Sequence, residues 1–421
     1  MKTKLMHQAG KLLIFFLTFV YWLRNSFSRE AGNGHAGEKN ILIITRENGI
    51  GDIICLLGAF KALQELYPAE KGYNIFFASE ENACGFLARI GWGQSLQLLP
   101  VRLKNRASCR DYAYSHKQLS QFAWEQIFSL GPLANYDRLL LLGLKARRYN
   151  VLWGGIERRG RLGRFLESLL RPVSGIELKY DTMLFAVYEK ALSFFARRQV
   201  ELELPYIEPL PAANPIQIEG NKYCVISIGI ASNHVNSFRA WPIERFVAVA
   251  EFICRELSLD MVLCGDKGQL EVTGEFLSRL PEDCLPRIHD LVGRTSFEEW
   301  VEVTRGAEFV FGNDSGYIHL AAAVRTKAFF IMGYHNYGRF FPYELPSGKV
   351  PDDYQMPVPI SAERPICTFC NSFWLLEDSS EKLAAKAVCD RCVQEKGLYS
   401  CIDGIEAGQV IEVVKSYMAG R

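Results

Sequence analysis

The sequence is short of net charge, of long apolar runs and of the common nucleotide-binding signatures. Lysine and arginine number 48 against 47 acids, a net +1. That balance gives no whole-chain attraction to nucleic acid, and no nucleic-acid partner is expected. No stretch reaches the ~20 apolar residues that a spanning helix needs. The longest, "LLIFFLTFVYWL" at 12–23, is about 18 Å long as a helix, against a hydrocarbon core of roughly 30 Å. There is no Gly-Lys-Ser/Thr loop. The turn Gly49-Ile50-Gly51 lacks the third glycine and the later acid of the dinucleotide fingerprint. Nor is there an Asp-x-Asp pair to hold a divalent ion.

What is present suits a globular protein of two domains. The chain has 421 residues, 49% of them hydrophobic, and that length exceeds a typical single core. A chain this long needs no disulfides, so its 12 cysteines read as thiols of a reducing, cytoplasmic compartment. Seven are scattered, several inside apolar segments (Cys224, Cys254, Cys264), and five crowd between Cys367 and Cys401.

Residues 1–34 stand apart. Lys2, Lys4 and Lys11 precede the apolar run, Arg24 and Arg29 follow it, and no acid comes before Glu30. Tyr21, Trp22 and the flanking cations suit an interfacial anchor on the cytoplasmic face of the inner membrane. A signal peptide and a weakly packed tail are the competing readings, although "RNSFSREAG" offers no Ala-x-Ala cleavage site.

Beyond residue 34, apolar runs alternate with helical patterns. "ILIIT" reads as a buried strand, and Ile53, Leu56, Leu57, Phe60 and Leu63 share one helical face. "YNIFFAS" and "LQLLPV" read as strands and "ACGFLARIG" as a helix; "YDRLLLLG" fits either. After a proline-rich linker at 206–220 the alternation restarts with "YCVISIG", "DMVLCG", "EFVFGN" and "KAFFIMG" as strands. This order predicts α/β architecture: two Rossmann-like domains, 35–205 and 221–421, with ligands in the cleft between them beyond the strand carboxyl ends.

Three spots carry candidate chemistry. In "FVFGNDSGYIHLAAA", Asp314 or Ser315 can cap a helix, and Gly316 opens its first amides to an anion. Plain capping explains the same residues, and His319 taken alone reads as a packed core histidine. In "SFRAWPIERF", Arg239 precedes a helix start and could grip a diphosphate bidentately. In "NGIGDII", Asp52 follows Gly49 and Gly51; its bland role is a first-turn acid favoured by the helix dipole. A basic stretch, Lys145 to Arg171, has eight cations against Glu157 and Glu167. It fits a phosphate-bearing acceptor, a membrane contact or a solvated face. Finally, Cys367-x2-Cys370 and Cys389-x2-Cys392 have the spacing of a tetrahedral zinc site, with Cys401 a possible substitute ligand. Four thiolates leave no open position, so that metal would be structural.

"TRENGIGDIICLLGAFKALQELYP" resembles the opening of the heptosyltransferase-type glycosyltransferases, glycosyltransferase family 9. "GNDSGYIHLAAAV" resembles that family's most specific signature, and "WPIERF" and "DLVGRTSFEEW" its intervening motifs. The resemblance runs from about residue 40 to the end and is weakest over 100–200. It implies a GT-B fold and inverting transfer, with a nucleotide-diphosphate sugar bound by the C-terminal half; the lack of Asp-x-Asp is consistent with transfer that needs no metal. The donor it implies is ADP-heptose, and the acceptor the lipopolysaccharide core. Asp52 then resembles the general base; Asp314, Ser315 and Gly316, with His319 nearby, resemble the donor-binding turn. Arg239 stands where the family often has a lysine on the donor phosphates. A late Cys-x-x-x-Ile, here Cys401 to Ile405, also follows the family pattern. The same fold with another donor and acceptor, or a non-catalytic sugar-nucleotide-binding protein, are the alternatives.

Overall fold

The computed structural model describes residues 2–27, 39–47, 49–104, 108–131, 135–153, 173–177, 184–211, 222–229, 240–333, 340–341, 343–362, 391, 393–395, 397 and 400–420. The chain divides into two compact units. Unit 1 comprises Met1–Lys179 and Val187–Glu203; unit 2 comprises Tyr180–Ala186 and Leu204–Arg421.

Unit 1 opens with helix α1 (Lys2–Phe27). Strand β1 (Lys39–Ile44) and helix α2 (Ile50–Leu66) follow, then β2 (Tyr73–Ser79) and α3 (Glu81–Arg89). Next come β3 (Gln97–Pro100), α4 (Cys109–Leu119), β4 (Trp124–Ser129) and α5 (Asn135–Leu142). The unit's last strands are β5 (Tyr149–Trp153) and β6 (Val173–Glu177), and most of α6 (Leu184–Ala196) belongs to it. The sheet is parallel, in the order β3-β2-β1-β4-β5-β6. Only strands covered on both faces can be as apolar as β1, whose Ile41 to Ile44 are all buried.

The ambiguous run 136–143 is helical up to Leu142. Its leucines are strong helix formers, and no β-branched residue interrupts them. Tyr136, Leu139, Leu140, Leu141 and Leu142 are all buried, which explains why no amphipathic stripe marked it. The N-terminal helix packs on the same unit through Ile14 and Thr18, which are buried. No described helix is long and apolar enough to cross a membrane.

Unit 2 repeats the plan. Its strands are β7 (Tyr223–Ser227), β8 (Asp260–Leu263), β9 (Ile288–Asp290), β10 (Val310–Asn313), β11 (Ala328–Ile331) and β12 (Val358–Ile360). Helices α7 (Ile243–Phe252), α8 (Leu270–Arg279), α9 (Phe297–Arg305) and α10 (Gly316–Ala323) connect them, and α11 (Ala407–Ala419) ends the chain. The sheet order is β12-β11-β10-β7-β8-β9, all parallel. Both sheets therefore follow the doubly wound order 3-2-1-4-5-6, whose strand order reverses between the first and fourth strands. Residues 204–210 of the extended segment lie on unit 2: Ile207 donates to Ala323 O at 2.9 Å, and Arg305 donates to the carbonyls of Ile207 and Glu208 at 2.9 and 3.1 Å.

Candidate active site

In unit 1 the site residues lie just past the carboxyl end of β1. Ser79 at the end of β2 donates to Glu47 O at 3.1 Å, and Thr45 Oγ1 accepts from the Glu47 amide, so the loop is held on its neighbour strand. Arg46 Nε lies 3.5 Å from Oδ2 of buried Asp137 on α5, an ion pair that ties the loop to a helix far along the chain. Gly49 is the N-cap of α2 and offers no side chain to do the capping. The Asp52 side chain curls back over it instead: an ideal Cβ on Gly49 would stand 2.8 Å from Asp52 Oδ2. Glycine at 49 is thus a steric requirement for the carboxylate's position. Asp52 is half-buried in the first turn, where the helix dipole favours its charge. Gly51 is buried in the same turn.

The same edge of unit 1 carries a concavity of 280 Å³ at the ends of β2 and β3, bounded by Glu80, Arg102, Lys104, Asp111 and Tyr114. Glu80 Oε1 accepts from the amides of Leu103 and Lys104 at 2.5 and 2.7 Å. Arg102 pairs with Asp111 at 3.3 Å and sits 4.4 Å from the Tyr114 ring centre.

In unit 2 the site residues lie at the carboxyl end of β10, the fourth strand, on one side of the strand-order reversal. Ser315 N-caps α10 through a 3.3 Å bond from the Tyr317 amide, and Gly316 follows as the first helical residue. Asp314 is buried. Its amide donates to Ile331 O at 3.2 Å, which holds the turn against β11. Gly312 is required by close packing, because a Cβ there would run into Ser227 O of β7.

His319 is buried one turn into α10. Its Nδ1 lies 2.5 Å from Tyr343 OH, and its ring stacks on Phe341 with centroids 4.9 Å apart. It ties the segment after β11 to the helix. Arg239, Asn48, the four cysteines Cys367, Cys370, Cys389 and Cys392, and the basic residues from Arg158 to Arg171 lie outside the described residues. Cys401 is buried beside Ile402 and Ile405 in the core of unit 2. No group of metal-ligating side chains occurs among the described residues.

Two residues emerge that the motifs alone did not single out. Asn313 donates to Ile228 O at 2.6 Å and accepts from the Trp241 amide at 3.0 Å, so it bonds to both flanks of the segment bearing Arg239. Trp241 Nε1 in turn donates to Ile405 O at 2.8 Å, and Arg245 donates to the carbonyls of Asp403 and Ile405 at 2.6 and 2.8 Å. The three motifs "GNDSG", "WPIERF" and Cys401 to Ile405 form one bonded cluster. The second residue is Gln269, whose side chain covers Gly229 and Gly265 past the ends of β7 and β8; a Cβ at either glycine would collide with it. Spacing could not show these links, since the partners are 72 or more residues apart except at Gln269.

The parallel sheets and their order define a pair of Rossmann-like units, the components of a GT-B fold. Residues 186–355 match the model for glycosyltransferase family 9 (heptosyltransferase). Among solved structures, E. coli ADP-heptose lipopolysaccharide heptosyltransferase II aligns over 89% of this chain and 97% of its own, at 15% identity and TM-score 0.57. A glycosyltransferase family 9 protein from Veillonella parvula aligns over 92% and 99%, at 15% identity and TM-score 0.64. E. coli heptosyltransferase WaaC with ADP-2-deoxy-2-fluoro heptose aligns over 85% and 99%, at 15% identity and TM-score 0.52. No curated protein sequence matches. The fold is that of the GT-B glycosyltransferases, and residues 186–355 are similar to glycosyltransferase family 9.

Proposed function

We propose that the protein is an inverting glycosyltransferase that moves a heptose from ADP-heptose to a lipopolysaccharide-core type of acceptor. The single observation that carries this reading is the Asn313–Gly316 turn. It lies at the strand-order reversal of the second sheet, within the residues that match the family. Ligands of doubly wound sheets bind at that point, and capped helix starts with open amides favour phosphate.

In this reading Asp52 takes the proton of the attacking acceptor hydroxyl. The oxygen bonds to the anomeric carbon from the face opposite the diphosphate. The bond from that carbon to the diphosphate oxygen breaks, and the nucleoside diphosphate leaves with its electron pair. Arg239 and the amides of the Ser315–Gly316 turn stabilise the charge as it develops. Asp314 meets the donor sugar, His319 holds the turn through Tyr343, and Gln269 faces the nucleoside. Lys145, Arg147, Arg148 and the cations from Arg158 to Arg171 engage acceptor phosphates. Transfer needs no metal, which agrees with the lack of Asp-x-Asp.

A structural zinc on four of Cys367, Cys370, Cys389, Cys392 and Cys401 is proposed separately; about one equivalent per chain is expected by metal analysis, and a folded, metal-free protein would dismiss it. The family match supports glycosyl transfer; the ADP-heptose in the name of one E. coli protein and the ADP-2-deoxy-2-fluoro heptose with the other support ADP-heptose as donor. The test is transfer from a nucleotide-sugar by the wild-type protein compared with Asp52→Asn.

A further inference from the structure

Helix α1 takes no part in the chemistry above, yet it is built onto unit 1 with care. Its inner face carries Ile14 and Thr18, both buried. Thr18 Oγ1 lies 2.7 Å from Tyr112 OH, and the Tyr21 ring stacks on His116 with centroids 3.8 Å apart. Cys109 Sγ donates to Gly10 O at 3.3 Å. Gly10 with Cys109, Thr18 with Tyr112 and Tyr21 with His116 advance together, so α1 and α4 run in the same direction. Because α4 follows β3, its start lies at the carboxyl edge of the sheet, and so does the N-terminal part of α1.

The outer face is the opposite in character. Leu12, Phe16 and Phe19 are 72%, 61% and 50% exposed, with Leu13, Phe15 and Val20 also open. These six are more than half of the eleven exposed large hydrophobic residues among the described residues. At 100° per residue they fill one continuous arc of about 160°, opposite Ile14 and Thr18. Isolated exposed apolar side chains are ordinary, but a contiguous stripe of this kind marks a contact surface.

Charge decides the occupant. Five cations (Lys2, Lys4, Lys11, Arg24, Arg29) accompany the stripe and no acid precedes Glu30. A second copy of α1 on this face would bring like charges together. An anionic bilayer surface attracts them while it takes up the apolar stripe. We propose that the outer face of α1, centred on Leu12, Phe16 and Phe19, docks unit 1 onto an anionic phospholipid surface. The helix lies in the interface without crossing it. Its basic end is at the edge that carries Asp52 and the Arg102–Tyr114 concavity, the edge a lipid-linked acceptor must reach. That last purpose rests on the proposed transfer; the docking itself does not.

The test mixes the full-length protein with phosphatidylcholine vesicles, with and without phosphatidylglycerol, and measures co-sedimentation and, separately, ADP binding. The wild type should sediment with the phosphatidylglycerol vesicles, less so in high salt. Leu12→Asp and Phe16→Asp should each lower partitioning by about tenfold or more and leave ADP binding unchanged. Phe16→Ser should give the same ranking and serves if an aspartate variant fails to fold. Equal sedimentation of wild type and variants, or none by the wild type, overturns the proposal. So does a dimer that forms in place of vesicle binding and is dissolved by Phe16→Asp. Loss of ADP binding in the wild type would instead count against the donor assignment and leave the docking result intact.

Discussion

Asp52 owes its position to a neighbour without a side chain. Its carboxylate occupies the space that a Cβ on Gly49 would fill, so Gly49→Ala must push it aside. Gly49 has an ordinary extended backbone, φ −69° and ψ 144°, so alanine strains nothing but this contact. We expect kcat to fall by about tenfold to a hundredfold through misplacement of the base, with ADP affinity and melting temperature close to wild type. Steady-state kinetics with calorimetry check this; an unchanged kcat would separate the carboxylate's position from catalysis. The acid and both glycines could be picked out in the sequence because they are adjacent. The ion pair of Arg46 with Asp137 leaves no mark in the sequence, since the two are far apart along the chain.

Among the elements, β10 and its turn do the most joining. Asn313 at its end carries the two buried bonds that link the turn to Ile228 and Trp241. Asn313→Ala leaves a carbonyl and an amide without these partners, at a cost of about 2–4 kcal/mol. The melting temperature should drop by several degrees, and ADP binding should weaken because the flanks of the Arg239 segment lose their common anchor. Thermal denaturation and calorimetry read the two effects; no change in either would show the bonds to be dispensable. The long apolar strands β1, β2, β7 and β11 were legible from composition. The run 136–143 was not, because complete burial removes the amphipathic stripe that distinguishes helix from strand. Strands β9 and β12 have three residues each, and β12 includes Pro359, so neither leaves a pattern to detect. The turn 313–316 was legible as a motif, but its bonds to distant segments exist only in the folded chain.

At the scale of the whole molecule, each unit holds buried thiols. Burial pushes the Cys84 thiol up to about 11 and the Cys264 thiol up to about 12. The folded chain therefore holds these protons more tightly than the unfolded one, where a thiol ionises near ~8.5. Their contribution to stability is complete below about pH 8.5 and is lost as pH rises through 11–12. Denaturant midpoints should therefore fall from pH 8 to pH 10.5, and Cys84→Ala should fall less steeply. Parallel curves for the two proteins would assign the alkaline loss elsewhere.

Beyond residue 34, the alternation of strands and helices makes two α/β halves legible in the sequence. The most direct measurement is sugar transfer from ADP-heptose to a lipid-linked core acceptor, by wild type and Asp52→Asn, with donor affinity determined on the same samples. Turnover by the wild type is expected, with a loss of about a thousandfold or more in the variant and equal ADP-heptose affinity in both. Transfer by Asp52→Asn at the wild-type rate would contradict the role of Asp52 as the base.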